Sequence, residues 1–219
     1  MQSKAIYEQT LEEIAAAIAH EVKNPLTMVG FNLDILEASD ERLGTHKNYT
    51  MIRKELRKIN ALMMDFIYLT GNHQAEKEGI LLDGLLDEIE EDFGVAMPNI
   101  SLRITYTPKK MFVYANENSI RTLFGNIVKN AAEAMDYEGE IQITAEIKED
   151  CMEVRFKDSG PGLSECAREK LFKEHFTTKS MGSGLGLSIC KKIAKEHGGD
   201  FTLENDEDGG CVATVRLRM

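Results

Sequence analysis

Between residues 5 and 38 apolar side chains return every three or four positions, at Leu11, Ile14, Ile18, Val22, Leu26, Val29, Leu33 and Leu36. That period describes one face of an α-helix. A second stripe follows at Ile52, Leu56, Ile59, Met63 and Phe66. The stretch SDERLGTHKN between them reads as a turn, with Gly44 a helix stop. Two long amphipathic helices joined by a short turn make a helical hairpin. One hairpin cannot cover its own stripes, whereas two hairpins from two chains can, as a four-helix bundle. A homodimer is therefore expected, Met63 and Met64 falling in the bundle core. The alternative is that both stripes pack on the rest of the same chain, but the near-heptad spacing fits bundle packing.

The character changes after the polar segment GNHQAEKEG, residues 71 to 79, which reads as a linker. Residues 80 to 93 look helical. Alternating apolar and polar runs then predict strands at SLRITY, MFVYA, EIQITAEI, CMEVRFKD, DFTLEN and CVATVRLR, with helical patterns near 117–136 and 185–197. The expected fold is α+β: a helical domain over residues 1–72, then an α/β sandwich over 78–219. Its sheet should be largely antiparallel and covered by helices on one side.

A formal net charge of -11 and the lack of a basic stripe argue against nucleic-acid binding. Cys151, Cys166, Cys190 and Cys211 form no CxxC pair and read as reduced thiols of a cytoplasmic protein. No apolar run reaches the length of a membrane span, and the acidic N-terminus is no signal peptide. No membrane contact is expected from this chain itself. No sensor segment is evident ahead of residue 5. The input is expected either from a longer protein of which this is the core, or from a partner.

The stretch HEVKNPLT, residues 20 to 27, places chemistry on the first helix. His20 lies roughly 200° around the helix from both Ile18 and Val22, so it points away from the apolar stripe. Pro25 removes the bond to the Glu21 carbonyl, and a bend or loosened turn is expected just past His20. Asn24 shares the face of His20 one turn on, and Glu21 is adjacent. A neutral imidazole attacks through one nitrogen while a carboxylate takes the proton of the other. Alone, this reads better as a surface histidine on a proline-kinked helix, and the rest of the chain decides between the two.

Three further pieces favour phosphate chemistry. GSGLGLSI, residues 182 to 189, sets glycines ahead of a helical run, where backbone N–H groups can approach phosphate oxygens. It fits neither a Rossmann unit nor a P-loop. DSGPGL, residues 158 to 163, sets Asp158 at a strand end, where it can accept a hydrogen bond from an exocyclic amine. In isolation that piece reads better as a simple Asx turn. NIVKNAAEAM, residues 126 to 135, carries Asn126 and Asn130 on one helix face. Asparagine disfavours helix interiors, and an amide oxygen suits Mg²⁺.

Together these pieces resemble the two-component sensor histidine kinases over nearly the whole chain. HEVKNPLT resembles the H box, NIVKNAAEAM the N box, DSGPGL the G1 motif, LFKEHFTTK the F box and GSGLGLSI the G2 motif, in family order. The resemblance implies a dimerisation and histidine-phosphotransfer bundle followed by an ATP-binding sandwich of the GHKL (Bergerat) type, shared with gyrase, heat-shock chaperone and mismatch-repair ATPases. It implies an ATP-dependent protein histidine kinase that passes a phosphoryl group from His20 to an aspartate of a response regulator receiver domain. The alternative is a phosphorelay or binding module of the same fold, without kinase activity of its own.

By the same resemblance His20 is the phosphoacceptor, Glu21 its acid/base partner, and Asn24 the residue that aligns water to dephosphorylate the regulator. Asp158 binds the adenine amino group, Asn130 ligates Mg²⁺ and Asn126 supports the phosphates. Gly160 and Gly162 admit the purine. Gly182, Gly184 and Gly186, with Leu187 beside them, cradle the triphosphate under a lid over about residues 173 to 184, which Phe172 and Phe176 anchor. Where many members carry a basic residue three positions after the Mg²⁺ asparagine, this chain has Glu133, and Lys179 is the candidate replacement cation. His46, His73, His175 and His197 are read as non-catalytic. His197, before Gly198 and Gly199, is read as serving helix-end carbonyls.

Overall fold

The computed structural model describes residues 2–70, 76–149, 151–170 and 185–219. The chain divides into two compact units, Met1–Gln74 and Ala75–Met219.

In the first unit α1 (Gln2–Ser39) and α2 (Lys47–Thr70) form the helical hairpin, with a 3₁₀ turn at Glu41–Thr45 between them. The turn expected to loosen at Pro25 stays helical. Proline removes one rung from a long ladder, and nearby the Thr27 hydroxyl donates to the Lys23 carbonyl at 2.9 Å. The first helix stops at Ser39, not at Gly44. The Ser39 hydroxyl takes the Leu36 carbonyl at 2.7 Å, and the Asp40 carboxylate accepts the Arg42 N–H at 3.1 Å. The Leu36 carbonyl also keeps its helical bond from the Asp40 N–H at 3.1 Å, while the Asp40 carboxylate satisfies an Arg42 N–H that a continuing helix would have bonded.

Buried Tyr49 closes the hairpin by donating its hydroxyl to the Leu33 carbonyl at 2.6 Å. Arg53 reaches Asp34 at 2.6 Å and Glu37 at 2.7 Å across the same gap. Leu33 is buried there. Ile18, Val29 and Leu36 on α1, and Ile52, Ile59 and Phe66 on α2, remain 39–51% exposed.

The second unit holds a five-stranded sheet in the order β2-β4-β5-β7-β6. Its strands are β2 (Ile100–Thr107), β4 (Gly139–Lys148), β5 (Cys151–Asp158), β6 (Asp200–Asn205) and β7 (Cys211–Arg218). β2 runs parallel to β4, and the other pairs are antiparallel. Helices α3 (Leu82–Ala96), α4 (Glu117–Ala134) and α6 (Gly186–Glu196) cover one face, and a short α5 spans Glu165–Lys170. The alternation of β5 sends Met152, Val154 and Phe156 into the core, where Phe156 meets Phe124 of α4 with ring centroids 5.2 Å apart. Each such side chain contributes about 1.5–3 kcal/mol by leaving water.

Ile80 and Leu81, read from the sequence as the start of a helix, belong to a strand. β1 (Glu78–Leu81) pairs antiparallel with β3 (Phe112–Ala115), setting Ile80 against Val113 and Leu81 against Phe112. The Leu82 N–H continues this pattern to the Met111 carbonyl at 2.8 Å. A partner strand distant in sequence overrides the helical period of the local segment.

Candidate active site

The second unit gathers its chemistry where α4, the end of β5 and the start of α6 meet. Helix α4 is capped by Asn116, whose side chain accepts the Ser119 N–H at 2.9 Å. Ile120, Leu123, Phe124, Ile127 and Val128 pin it to the sheet. Asn126 and Asn130 sit half-buried beside that apolar face. The Cys190 thiol lies 3.8 Å from the Leu123 carbonyl, packing α6 on α4. As a result Gly186, the first residue of α6, faces Asn130: a β-carbon on it would stand 3.7 Å from the Asn130 amide nitrogen. The N–H groups of a helix start therefore lie beside an amide side chain. Leu187 is half-buried on the same first turn.

Asp158 ends β5 and is 7% exposed. Its Oδ1 accepts the Gly160 N–H at 2.9 Å and the Cys211 N–H at 3.2 Å. Among the described residues, no hydrogen bond reaches Oδ2. Burial raises this carboxyl above the ordinary range, and the two N–H donors oppose the shift. Burial, with the charge of Asp158 next to it, pushes the Cys211 thiol up to about 11. A β-carbon on Gly160 would meet Asp158 Oδ1 at 2.9 Å, Met135 at 3.3 Å and Ala134 at 3.8 Å. The turn after β5 thus lies against α4 one turn beyond Asn130. Gly162 has φ +79. The next residue, Leu163, is clamped by Asn205, which accepts its N–H at 2.6 Å and donates to its carbonyl at 3.0 Å.

Asn126, Asn130, Asp158, Gly160, Gly162, Gly186 and Leu187 therefore all belong to this one unit. Lys179, Gly182 and Gly184 lie outside the described residues, as do Phe172 and Phe176. His20 belongs to α1 of the first unit; its backbone is helical and its side chain lies outside the described residues. Glu21 and Asn24 are exposed on the same helix. The sequence reading missed Asn205 and the Cys211 N–H. Their only signal was the turn-forming run NDEDGG, which does not say what the turn leans on.

Among the described residues no group of three His, Cys, Asp or Glu could hold a metal. The donor set of α4 is amide oxygen. That suits a hard cation such as Mg²⁺, which takes one or two protein ligands and fills its octahedron with phosphate oxygens and water. Glu133 is half-buried on α4 and adds no positive charge. A cavity of about 560 Å³ bounded by Lys148, Cys151, Glu153 and Arg216 lies at the other end of β5 from Asp158. There Lys148, at 2.6 Å, and Arg216, at 2.8 Å, already neutralise the Glu153 carboxylate.

Residues 115–219 match the family described as histidine kinase-, DNA gyrase B- and HSP90-like ATPase. Sporulation kinase C of Bacillus subtilis (strain 168) is 30% identical over 211 residues, which are 94% of this chain and 49% of that protein. The chain thus spans no more than about half the length of the curated relatives it matches. The solved catalytic domain of histidine kinase ThkA is 35% identical, with a TM-score of 0.59 over 65% of this chain and 95% of that one. Histidine kinase ThkA in complex with response regulator protein TrrA is 30% identical, with a TM-score of 0.67 over 99% of this chain and 64% of that one. No described helix is long and apolar enough to cross a membrane.

Proposed function

Because the chain belongs to the two-component sensor histidine kinases, of which it carries the catalytic core, we propose that it transfers the γ-phosphoryl group of ATP to His20. From there the group passes to an aspartate of a response-regulator receiver domain. The observation that carries this reading is the convergence of Asn130, Asp158 and Gly186 in one unit. They offer an amide oxygen for a metal–phosphate complex, a buried carboxylate for an exocyclic amine and a helix start for phosphate.

Asp158 would take the adenine amino group on Oδ2, since both backbone donors go to Oδ1. Gly160 and Gly162 keep the purine approach clear of side chains. Asn126 and Asn130 would orient the phosphates, and Gly186 lets them approach the N–H groups of α6. Mg²⁺ held by Asn130 would supply positive charge at the phosphate oxygens. Lys179 is our choice for the further cation that Glu133 does not provide.

At His20 the unprotonated ring nitrogen attacks the γ-phosphorus. A P–N bond forms as the P–O bond to the β-phosphate breaks and ADP departs. Glu21 takes the proton from the other nitrogen, which neutralises the imidazolium. Positioning and charge neutralisation supply most of the acceleration in such transfers. Asn24 serves the reverse duty, aligning water on the phosphorylated regulator. The apolar face left on α1 and α2 supports a homodimer through a four-helix bundle.

Incubation with labelled ATP tests the reading. Label that survives base, is lost in acid and is absent from His20→Ala is expected. Label retained by His20→Ala would overturn it.

A further inference from the structure

Helices α4 and α6 pack antiparallel, so the pair has two ends. One end carries Asn130 and Gly186. At the other end, roughly 20 Å away along α4, His197 follows the last turn of α6 and is 6% exposed. Its Nε2 accepts the backbone N–H of Asn116, the N-cap of α4, at 3.1 Å. An amide N–H can only donate, so Nε2 carries no proton and the ring is the neutral Nδ1–H tautomer. That Nδ1–H donates to the Ile193 carbonyl at 2.8 Å. Both ring nitrogens are committed, one to each helix.

The segment ahead of β1 is tied to the same node. Lys77 donates its ammonium to the Glu196 carbonyl at 2.6 Å, and the Asn116 amide donates to the Glu76 carbonyl at 3.3 Å. The charges that act on the ring are Lys77 from this segment and Glu196 from α6, of opposite sign. From the β7 side, Gly198 packs on the aliphatic part of Arg218.

We propose that His197 is a positioning residue for the nucleotide site, a neutral imidazole that bolts the N-cap of α4 to the end of α6 and so keeps Gly186 against Asn130. Protonation would turn Nε2 into a donor facing another donor. The bolt would open, and nucleotide affinity would fall. The inference rests on reading Asn130 and Gly186 as nucleotide-binding residues. Burial, aided by Lys77, holds the imidazole below its ordinary pKa of 6.5. The ring is therefore neutral near pH 7.5 and accepts a proton only in acid.

The test is ATP–Mg²⁺ affinity of the full chain from about pH 7.5 down to the lowest pH at which its melting transition is retained, with melting temperatures measured alongside. For the wild type, affinity should fall on acidification about threefold or more beyond any fall in His197→Gln, the scale of one buried hydrogen bond. His197→Gln keeps an acceptor and a donor but cannot titrate, so it should bind like the wild type at the higher pH. His197→Ala should bind about threefold to tenfold more weakly at the higher pH. Three results overturn the proposal: equal pH dependence in wild type and His197→Gln, no pH dependence in the wild type, or unchanged affinity in His197→Ala with only its melting temperature lowered. Failure of the wild type to bind ATP near pH 7.5 would overturn the nucleotide-site reading itself, and this inference with it. Failure of this inference alone leaves wild-type binding intact.

Discussion

Gly210 backs onto Asp158 so closely that a β-carbon on it would sit 1.9 Å from the Asp158 carbonyl oxygen. Its φ of +81 adds a second reason for glycine. Next in the chain, the Cys211 N–H donates to Asp158 Oδ1. The turn between β6 and β7 therefore serves as the seat of the carboxylate.

Gly210→Ala should push that turn off Asp158. We expect a loss of about 1–3 kcal/mol in folding stability together with weaker ATP binding, since Asp158 loses a donor. Gly209→Ala is the control. Gly209 also has a positive φ, of +100, but open space around it, so its loss should be about 1 kcal/mol with affinity retained. Urea unfolding and nucleotide titration of both variants check this.

Asp158 should trade stability for binding. Its native pKa is raised above the free value of 3.8. A carboxyl of this kind contributes its full stability below pH 3.8 and loses it as pH rises through the native value. At neutral pH the buried charge therefore costs stability. Asp158→Asn keeps an oxygen for the Gly160 and Cys211 donors. The unliganded variant should melt above the wild type near neutral pH, and the gap should close on acidification. Its ATP affinity should drop by about 1.5–3 kcal/mol, the scale of a hydrogen bond to a charged group. Calorimetric melts across pH, with titrations near neutrality, read both effects.

Gly186→Ala separates a phosphate cradle from a packing glycine. The added methyl would stand 3.7 Å from the Asn130 amide, an ordinary contact, and alanine suits a helix better than glycine. Stability should hold or rise by up to about 1 kcal/mol, while ATP affinity falls about tenfold or more as the methyl blocks close backbone approach. Unchanged affinity would remove Gly186 from the site.

The stripe on α2 tests dimerisation. Ile52 and Ile59 are 51% and 41% exposed. Ile52→Glu with Ile59→Glu should leave the second unit able to bind nucleotide but yield monomers in sedimentation. Burying the half of each side chain that is still exposed is worth about 1.5–3 kcal/mol per chain in a bundle. A wild type that sediments as a monomer at micromolar concentration would refute the bundle.

Much of this protein is legible in its sequence. The stripes of α1 and α2, the six alternating strands and the order of Asn130, Asp158 and Gly186 are local patterns, and each element formed where its pattern lay. The role of His197 at a helix end was half visible: its bond to Ile193 is local, whereas its bond to Asn116 is not. β1 was misread because its hydrogen bonds go to β3, and nothing within Glu78–Leu81 records that.

Sequence alone determined which faces would be buried and which residue types would carry chemistry, because periodicity and side-chain identity are properties of neighbours along the chain. Only the tertiary structure decided that β2 runs parallel to β4, that the turn ending in Gly210 seats Asp158, and that one imidazole joins α4 to α6. Those choices depend on which distant surface each apolar face and each unpaired N–H meets, and an apolar stripe specifies that it must be covered without specifying by what.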